Sequence, residues 1–531
     1  MVQFLPSIEF YSQSLRGSDF LKNEVIPWGY ISTFLAPDFL GNPVTRNDWF
    51  GHYAEWNAYI GVLPLMLAFY SIFSKNKSQV IFLFILSFIV LFLAFPTTLQ
   101  DLFINLHIPV LSTSAASRIV VLYSFSFAIL SAFGLDQLIL DIKNKKAWKI
   151  IIWFLCFAII FLILWIAAYT KLFIPAERIV VARNNLILPT SLFIISALII
   201  FIWNINKKMT FVALSFLLLI VSFDMLRFVI KWMPFDPKNL VFPDTKTTRS
   251  FSKISGYNRV FGNLGGEASM YYRLPSVEGY DALYIKRYGE LINFIEEGKP
   301  KNLYRSVVSF SKTGLYASRA LNLLNIKYIV HKLADDYAGW TFPYWTYPKN
   351  QFKLIYRDNM YEFYENTQVF PRAFLVGQYR IVENPEKIMS LMFDDSFDLK
   401  KEIILEEDPV INKTEGDIGK VKIVSYQPNN IEISVEAKSR ALLFLADSYY
   451  NGWKATIDGK NASVLRADYA FRAIPVNAGM HTVRFYYDPW SFKSGVYLSV
   501  LGLMGLLFIV WISRVGDHSM SAFSSQSQKG K

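Results

Sequence analysis

Seven apolar runs, each long enough to cross a hydrocarbon layer, constrain this chain more than any other feature: 56–73, 79–95, 118–140, 148–170, 185–203, 209–228 and 493–513. A hydrocarbon core of about 30 Å takes roughly 20 residues of helix. Inside it the backbone must satisfy its own hydrogen bonds, which a run of this kind does as a helix. Between the sixth and seventh runs the composition is that of a water-soluble protein. The chain is therefore built for two solvents, and the fold class expected is a polytopic α-helical membrane protein of about seven transmembrane helices. An extracytoplasmic α+β region and a membrane-proximal β-sandwich complete it.

The formal net charge of +12 would suit a nucleic-acid partner if it lay along one soluble face. Instead the lysines cluster beside the apolar runs: Lys75 and Lys77, then Lys143, Lys145 and Lys146, then Lys207 and Lys208, with Arg514 after the last run. Lys and Arg in short loops stay cytoplasmic, whereas long segments translocate largely regardless of charge. The region 230–492 is then placed outside, with 1–55, 96–117 and 171–184. Cys156 is the only cysteine, so neither a disulfide framework nor a cysteine zinc site can be built, and the five histidines have no ligand spacing.

The expected division is an outer segment at 1–55, a six-helix transmembrane region at 56–228, an α+β domain at 229–417, a β-sandwich at 418–490, and a final helix with a cytoplasmic tail at 491–531. In the α+β part, 284–297 and 317–325 carry apolar residues at helical spacing, while 327–331, 351–356, 360–364 and 373–376 read as strands. Beyond Gly416 the helical period vanishes. Strands are expected at 421–426, 430–437, 440–446, 453–457, 463–467, 470–476 and 481–487, with turn chemistry at Pro428-Asn429, Asn451-Gly452, Asp458-Gly459 and Asn477-Ala478-Gly479. Gly262-Asn263-Leu264-Gly265-Gly266 lacks the context of a phosphate-binding loop and reads as a turn.

The segment Ala446-Asp447-Ser448-Tyr449-Tyr450-Asn451-Gly452-Trp453-Lys454-Ala455, then Ile457-Asp458-Gly459-Lys460 and Arg466-Ala467-Asp468-Tyr469-Ala470-Phe471-Arg472, resembles the bacterial YfhO-like membrane protein family. Tyr364-Glu365-Asn366 followed by Pro371-Arg372-Ala373 resembles its middle domain. Residues 55–64, Ser117-Arg118 and Gly134-Leu135-Asp136 resemble its membrane signatures, so the similarity spans nearly the whole chain. That family is similar to the GT-C glycosyltransferases. The resemblance thus implies a protein of the bacterial plasma membrane that takes sugar from a polyprenyl-phosphate donor and modifies a cell-envelope glycopolymer outside the cytoplasm. It also implies a catalytic carboxylate in the first outer loop. Residues 1–10 lack the charged and apolar regions of a signal peptide and read like the outer end of a preceding span. The expectation is therefore a C-terminal portion, truncated before its catalytic loop or completed by another polypeptide.

Transfer from a lipid phosphate needs a base for the acceptor proton and a cation for the departing phosphate. Arg118, at the outer mouth of its span, is the candidate for lipid-phosphate binding, with a headgroup anchor as the plainer role. Glu55 is the candidate catalytic group. Asp38, Asp48 and His52 lie near it in sequence as candidate sugar or metal contacts, although as loop residues they can simply be solvated. No metal ligand set is assigned, and a divalent cation is the one cofactor such oxygens could take. Asp224 and Arg227, three apart, are expected to neutralise each other on one helix face, and Asp136 to lie at the inner interface. Tyr449, Tyr450, Trp453, Arg466 and Arg472 are candidate carbohydrate contacts, or ordinary core and turn residues. The leading function is a GT-C-type glycosyltransferase. The alternative is a non-catalytic membrane scaffold or carbohydrate-binding remnant. A transporter ranks last, because the spans lack paired Gly/Pro-interrupted segments.

Overall fold

The long apolar runs of the sequence are helical over most of their length. The computed structural model describes residues 1–14, 24–106, 115–170, 174–233, 235–262, 266–280, 284–299, 307–308, 310, 313–335 and 342–527. The turn expected at 263–265 lies outside these. The chain forms two compact units, one of residues 17–236 and one of 1–16 with 237–531.

Among the described residues six helices are long and apolar enough to span a bilayer: Lys77–Ala94, Ala116–Lys143, Ala147–Tyr169, Ala176–Ile205, Lys207–Trp232 and Trp490–Ile512. These make the chain a multi-pass helical membrane protein. The run expected as the first span is shorter, with a helix only over Val62–Phe73. Upstream of it the chain leaves the one-turn helix Tyr53–Trp56 and passes through Gly61, whose φ of 99° no helix accommodates. Hydropathy counts apolar residues and is blind to such a break.

In the unit 17–236 the helices Val62–Tyr70 and Val120–Lys143 meet backbone to backbone, since a Cβ on Gly134 would lie 1.8 Å from the Leu67 carbonyl oxygen. Around this contact Tyr70, Tyr123, Trp203 and Leu130 are fully enclosed. The opposite faces are apolar yet open, as at Phe82, Leu155 and Leu218. Exposed apolar side chains on this scale are explained by lipid as solvent.

In the other unit three larger sheets carry the fold among the described residues, beside a two-stranded pair of 279–280 with 307–308. The first runs 259–262, 326–332, 361–366, 352–357 in spatial order. The second has six strands, in the order 373–376, 441–445, 471–476, 465–467, 402–405, 378–381, and the third five, in the order 419–427, 430–437, 479–487, 453–457, 460–462. Ile433, Val435 and Phe485 of the five-stranded sheet pack on Leu375, Leu443 and Ile474 of the six-stranded one, as the inner faces of a sandwich. The other face of the six-stranded sheet, with Phe444, Phe471 and Ala473, packs against the helices Lys286–Glu297, Ala317–Leu323 and Pro385–Met392. Covered on both sides, its strand Ala441–Leu445 reads as an unbroken apolar run.

This sheet crosses the boundary expected at 417/418: the strand at 373–376 pairs with 441–445, and Leu405 with Ala467. Strand partners far apart in sequence leave no local periodicity to read. The segment 24–55 belongs with the membrane helices rather than forming an outer piece with residues 1–16. The Asp458-Gly459 hairpin is formed as expected, with φ of 50° and 79° between the paired residues Ile457 and Lys460. The helix Pro385–Met392 went unread although its signal is local: Asn384 caps the Lys387 N–H and proline fills the first turn.

Asp468 and Tyr469 turn the chain with φ of 43° and 68°. Asp468 Oδ1 accepts the Ile404 N–H at 2.8 Å, but Oδ2 is buried without a partner among the described residues. Burial pushes this carboxyl up to about 7, helped by the nearby Glu402 charge. Since the unfolded value is about 3.9, the protonated form contributes stability that is complete below that value and is lost as pH rises through the folded pKa. Asn also tolerates positive φ and cannot ionise. Asp468→Asn should therefore raise the unfolding midpoint at pH 8, by on the order of 2–4 kcal/mol in stability, and by less at pH 5; the same gain at both pH values would contradict a buried carboxyl here.

Candidate functional site

In the membrane unit Glu55 and Arg118, 63 positions apart in sequence, meet. Glu55 sits on the one-turn helix Tyr53–Trp56, and Arg118 on the 3-10 turn Ala116–Ile119 that leads into the helix at Val120. Arg118 Nη2 donates to Glu55 Oε1 at 2.8 Å, with side chains 62% and 37% exposed. This contact orients the guanidinium, whose side chain stays largely exposed. An exposed pair of this kind adds little stability, so its worth lies in orientation.

Asp38 is buried, and so is not the solvated loop charge its position suggests. Its carboxylate accepts from Asn42 Nδ2 at 2.8 Å, from the Tyr53 hydroxyl at 2.6 Å and from Lys231 Nζ at 2.6 Å, with Arg227 Nη2 at 3.8 Å. Burial alone would raise this carboxyl, but the hydrogen bonds of Asn42, Lys231 and Tyr53 hold it below its usual value. Asn185 Nδ2 donates to the Asp38 carbonyl, tying the same segment to another helix. Asp48 and His52 are exposed; Asp48 contributes to the raised Tyr30 hydroxyl, pushed mainly by burial up to about 12, and His52 lies edge-on to Trp56. Among the described residues no group of three or more His, Cys, Asp or Glu is placed to hold a metal ion.

Asp224 and Arg227 do not form the expected pair. Asp224 accepts from the Tyr59 hydroxyl at 2.7 Å and the Val62 N–H at 3.1 Å, while Arg227 turns to Asp38. Asp136 is exposed, whereas its neighbour Asp141 is buried against the Tyr70 hydroxyl at 3.0 Å and Lys149 at 3.7 Å. Lys231, Tyr53, Tyr59 and Tyr70 escaped notice because the acids they serve lie far away in sequence.

In the β-rich unit the five aromatic and arginine candidates divide. Tyr450, Trp453 and Arg472 line one cavity of about 400 Å³, together with Asp447, Arg259 and Tyr426. Tyr449 and Arg466 instead stack on each other at 4.4 Å, and Arg466 pairs with Glu406 at 3.3 Å. Beside this cavity three arginines from three strands or strand ends meet one carboxylate, Asp447. Arg372 reaches Asp447 at 2.6 Å, Arg472 at 3.2 Å and Arg259 at 3.5 Å. The Tyr426 hydroxyl donates to Asp447 at 2.9 Å and accepts from Arg372 at 2.6 Å. Against the effect of burial, these cations hold the Asp447 carboxyl well below the usual range, and burial lowers Arg472 and Arg259.

Spans, sandwich and charged clusters together define a multi-pass membrane protein with a large β-rich region. The family described as bacterial membrane protein YfhO matches residues 412–499. The uncharacterized protein YfhO of Bacillus subtilis (strain 168) is 24% identical over 126 residues, which is 24% of this chain and 14% of that protein. Over this C-terminal stretch the chain is similar to the YfhO membrane proteins, and it spans about a seventh of the length of the relative it matches. No solved structure matches. The family match contains the 446–472 motif; the motifs around Glu55, Arg118 and Arg372 lie outside it.

The Asp38 cluster makes a quantitative expectation. Lys231→Met leaves a buried carboxylate short of its nearest cation and should cost on the order of 2–3 kcal/mol, against about 1 kcal/mol for Tyr53→Phe. Thermal unfolding of the detergent-solubilised protein reads both, and equal small shifts would mean that Asp38 is hydrated rather than enclosed.

Proposed function

We propose that this YfhO-like protein takes part in GT-C-type transfer of a sugar from a polyprenyl-phosphate donor to a cell-envelope glycopolymer, with the β-rich unit on the extracytoplasmic side of the bacterial plasma membrane. The observation that carries the reading is the Glu55–Arg118 pair: an accessible guanidinium at the start of a span, oriented by a carboxylate 2.8 Å away.

In such a transfer an acceptor hydroxyl attacks the anomeric carbon, the bond from that carbon to the phosphate oxygen breaks, and the phosphate leaves with the electron pair. Arg118 is suited to the oxygens of the leaving phosphate, because a guanidinium presents a fork that matches them. Glu55, beside it, is the group that would receive the acceptor proton. Asp38 takes a positioning part in this scheme: held by Tyr53, it fixes the one-turn helix that carries Glu55. The orientation rests on the lysine-bearing short loops being cytoplasmic.

A second reading, a carbohydrate-binding scaffold without catalysis, is favoured by one fact. The family match, and most of the cavity bearing Tyr450, Trp453 and Arg472, fall within 412–499. Membranes carrying the full chain, supplied with labelled polyprenyl-phosphate sugar and acceptor polymer, separate the two. We expect transfer, slowed about 10- to 100-fold by Arg118→Ala, as loss of a charge-assisted contact implies. Unchanged turnover in Arg118→Ala would remove that residue from the site, and glycan retention with no transfer by wild type would favour the scaffold.

A further inference from the structure

We propose that the arginine cluster around Asp447 is a binding site for a phosphate group, a role separate from the Glu55–Arg118 pair. Arg259, Arg372 and Arg472 are all buried, and Asp447 is the one carboxylate within ion-pair distance of them among the described residues. Three cations and one anion leave two positive charges uncompensated in the interior. Removing an ion from water costs several kcal/mol even after relaxation. Arg372 recovers this through Asp447, Tyr426 and the Tyr257 carbonyl, and Arg259 through the Leu324 carbonyl at 2.7 Å.

Arg472 recovers little. Among the described residues a single contact to Asp447 is its only ion pair, and its Nε and Nη1 are buried with no hydrogen-bond partner. Trp453, 4.0 Å from the guanidinium carbon, and Phe485 at 5.5 Å add cation–π attraction. That is worth about 0.5–2 kcal/mol, less than the desolvation it would have to offset. The missing counter-charge has a place to sit. Arg259 and Arg472 both line the 400 Å³ cavity, and Arg259 and Arg372 also line a second of about 880 Å³ that adds Arg273. An unpaired buried donor, a net charge of +2 and an adjoining cavity ask for an anion carrying about two negative charges on several oxygens. A phosphate monoester or inorganic phosphate has both, whereas a carboxylate supplies one charge. Guanidinium forks are matched to phosphate oxygens.

The test uses the full-length protein in a non-ionic detergent at pH 7.5, with ionic strength fixed by chloride because screening alone shifts charged clusters. Titration calorimetry with inorganic phosphate, and separately with a short-chain phosphatidic acid below its micelle concentration, distinguishes a soluble phosphate from a lipid headgroup. Binding of either supports the site, provided that Arg472→Gln weakens it at least tenfold and Arg440→Gln, an exposed arginine of the same unit, leaves it unchanged. Phosphate should also raise the wild-type unfolding midpoint above that in equal ionic strength of chloride, a readout that stands even if Arg472→Gln fails to fold. No heat from either ligand together with equal protection by chloride, or binding undiminished in Arg472→Gln, would overturn the proposal.

Discussion

A bilayer gives the backbone no water to bond with, and this requirement organises the molecule. Apolar runs must close their own hydrogen bonds as helices, and any acid carried into that environment needs its partners supplied by protein. Three aspartates of the membrane unit meet the requirement in the same way, each accepting from a tyrosine hydroxyl: Asp38 from Tyr53, Asp141 from Tyr70 and Asp224 from Tyr59. A tyrosine packs as a hydrophobe and still delivers one donor. Two of the three acids add a lysine, at 2.6 Å for Asp38 and 3.7 Å for Asp141. Asp38 is thereby a joint between the segment before the first helix and the helix Thr210–Trp232.

The β-rich unit faces a different problem, an apolar interior to be enclosed by protein. It solves it by covering one sheet on both sides, with a second sheet on one face and helices on the other. Asp447, following the strand Ala441–Leu445, collects arginines from the edge strand region at Arg372, the neighbouring strand at Arg472 and a different sheet at Arg259. One carboxylate thus ties two sheets together. Its surplus of positive charge is more than a structural joint requires, and that surplus is what makes the cluster a ligand site.

Much of this was legible along the chain, and the exceptions have physical causes. Hydropathy over about 20 residues located the long spans, because membrane insertion depends on that sum. It failed at 56–61, where a glycine with positive φ breaks the helix without lowering the apolar count. Turn chemistry placed most strands of the sandwich, since Asp458-Gly459 acts locally. The strands at 378–381 and 402–405 joined a sheet that no local pattern announces, their partners lying in the 441–476 region or beside each other. Glu55 and Arg118 were each singled out by position, but nothing in sequence joins residues 63 apart. Asp38 resembled a solvated charge because Lys231, which neutralises it, lies 193 positions away. Arg259 gave no signal at all, since only the fold brings it to Asp447.

The proposed function requires the sheets of the β-rich unit and the lysine-bearing loops to lie on opposite sides of the bilayer. Cys156 is the only cysteine, so a Cys156→Ser background accepts single reporters, at the exposed Met480 of the sandwich and the exposed Lys208 between two spans. A membrane-impermeant maleimide applied to intact cells should label Met480→Cys and reach Lys208→Cys only after lysis. Labelling of Lys208→Cys in intact cells, with Met480→Cys protected until lysis, would contradict the account.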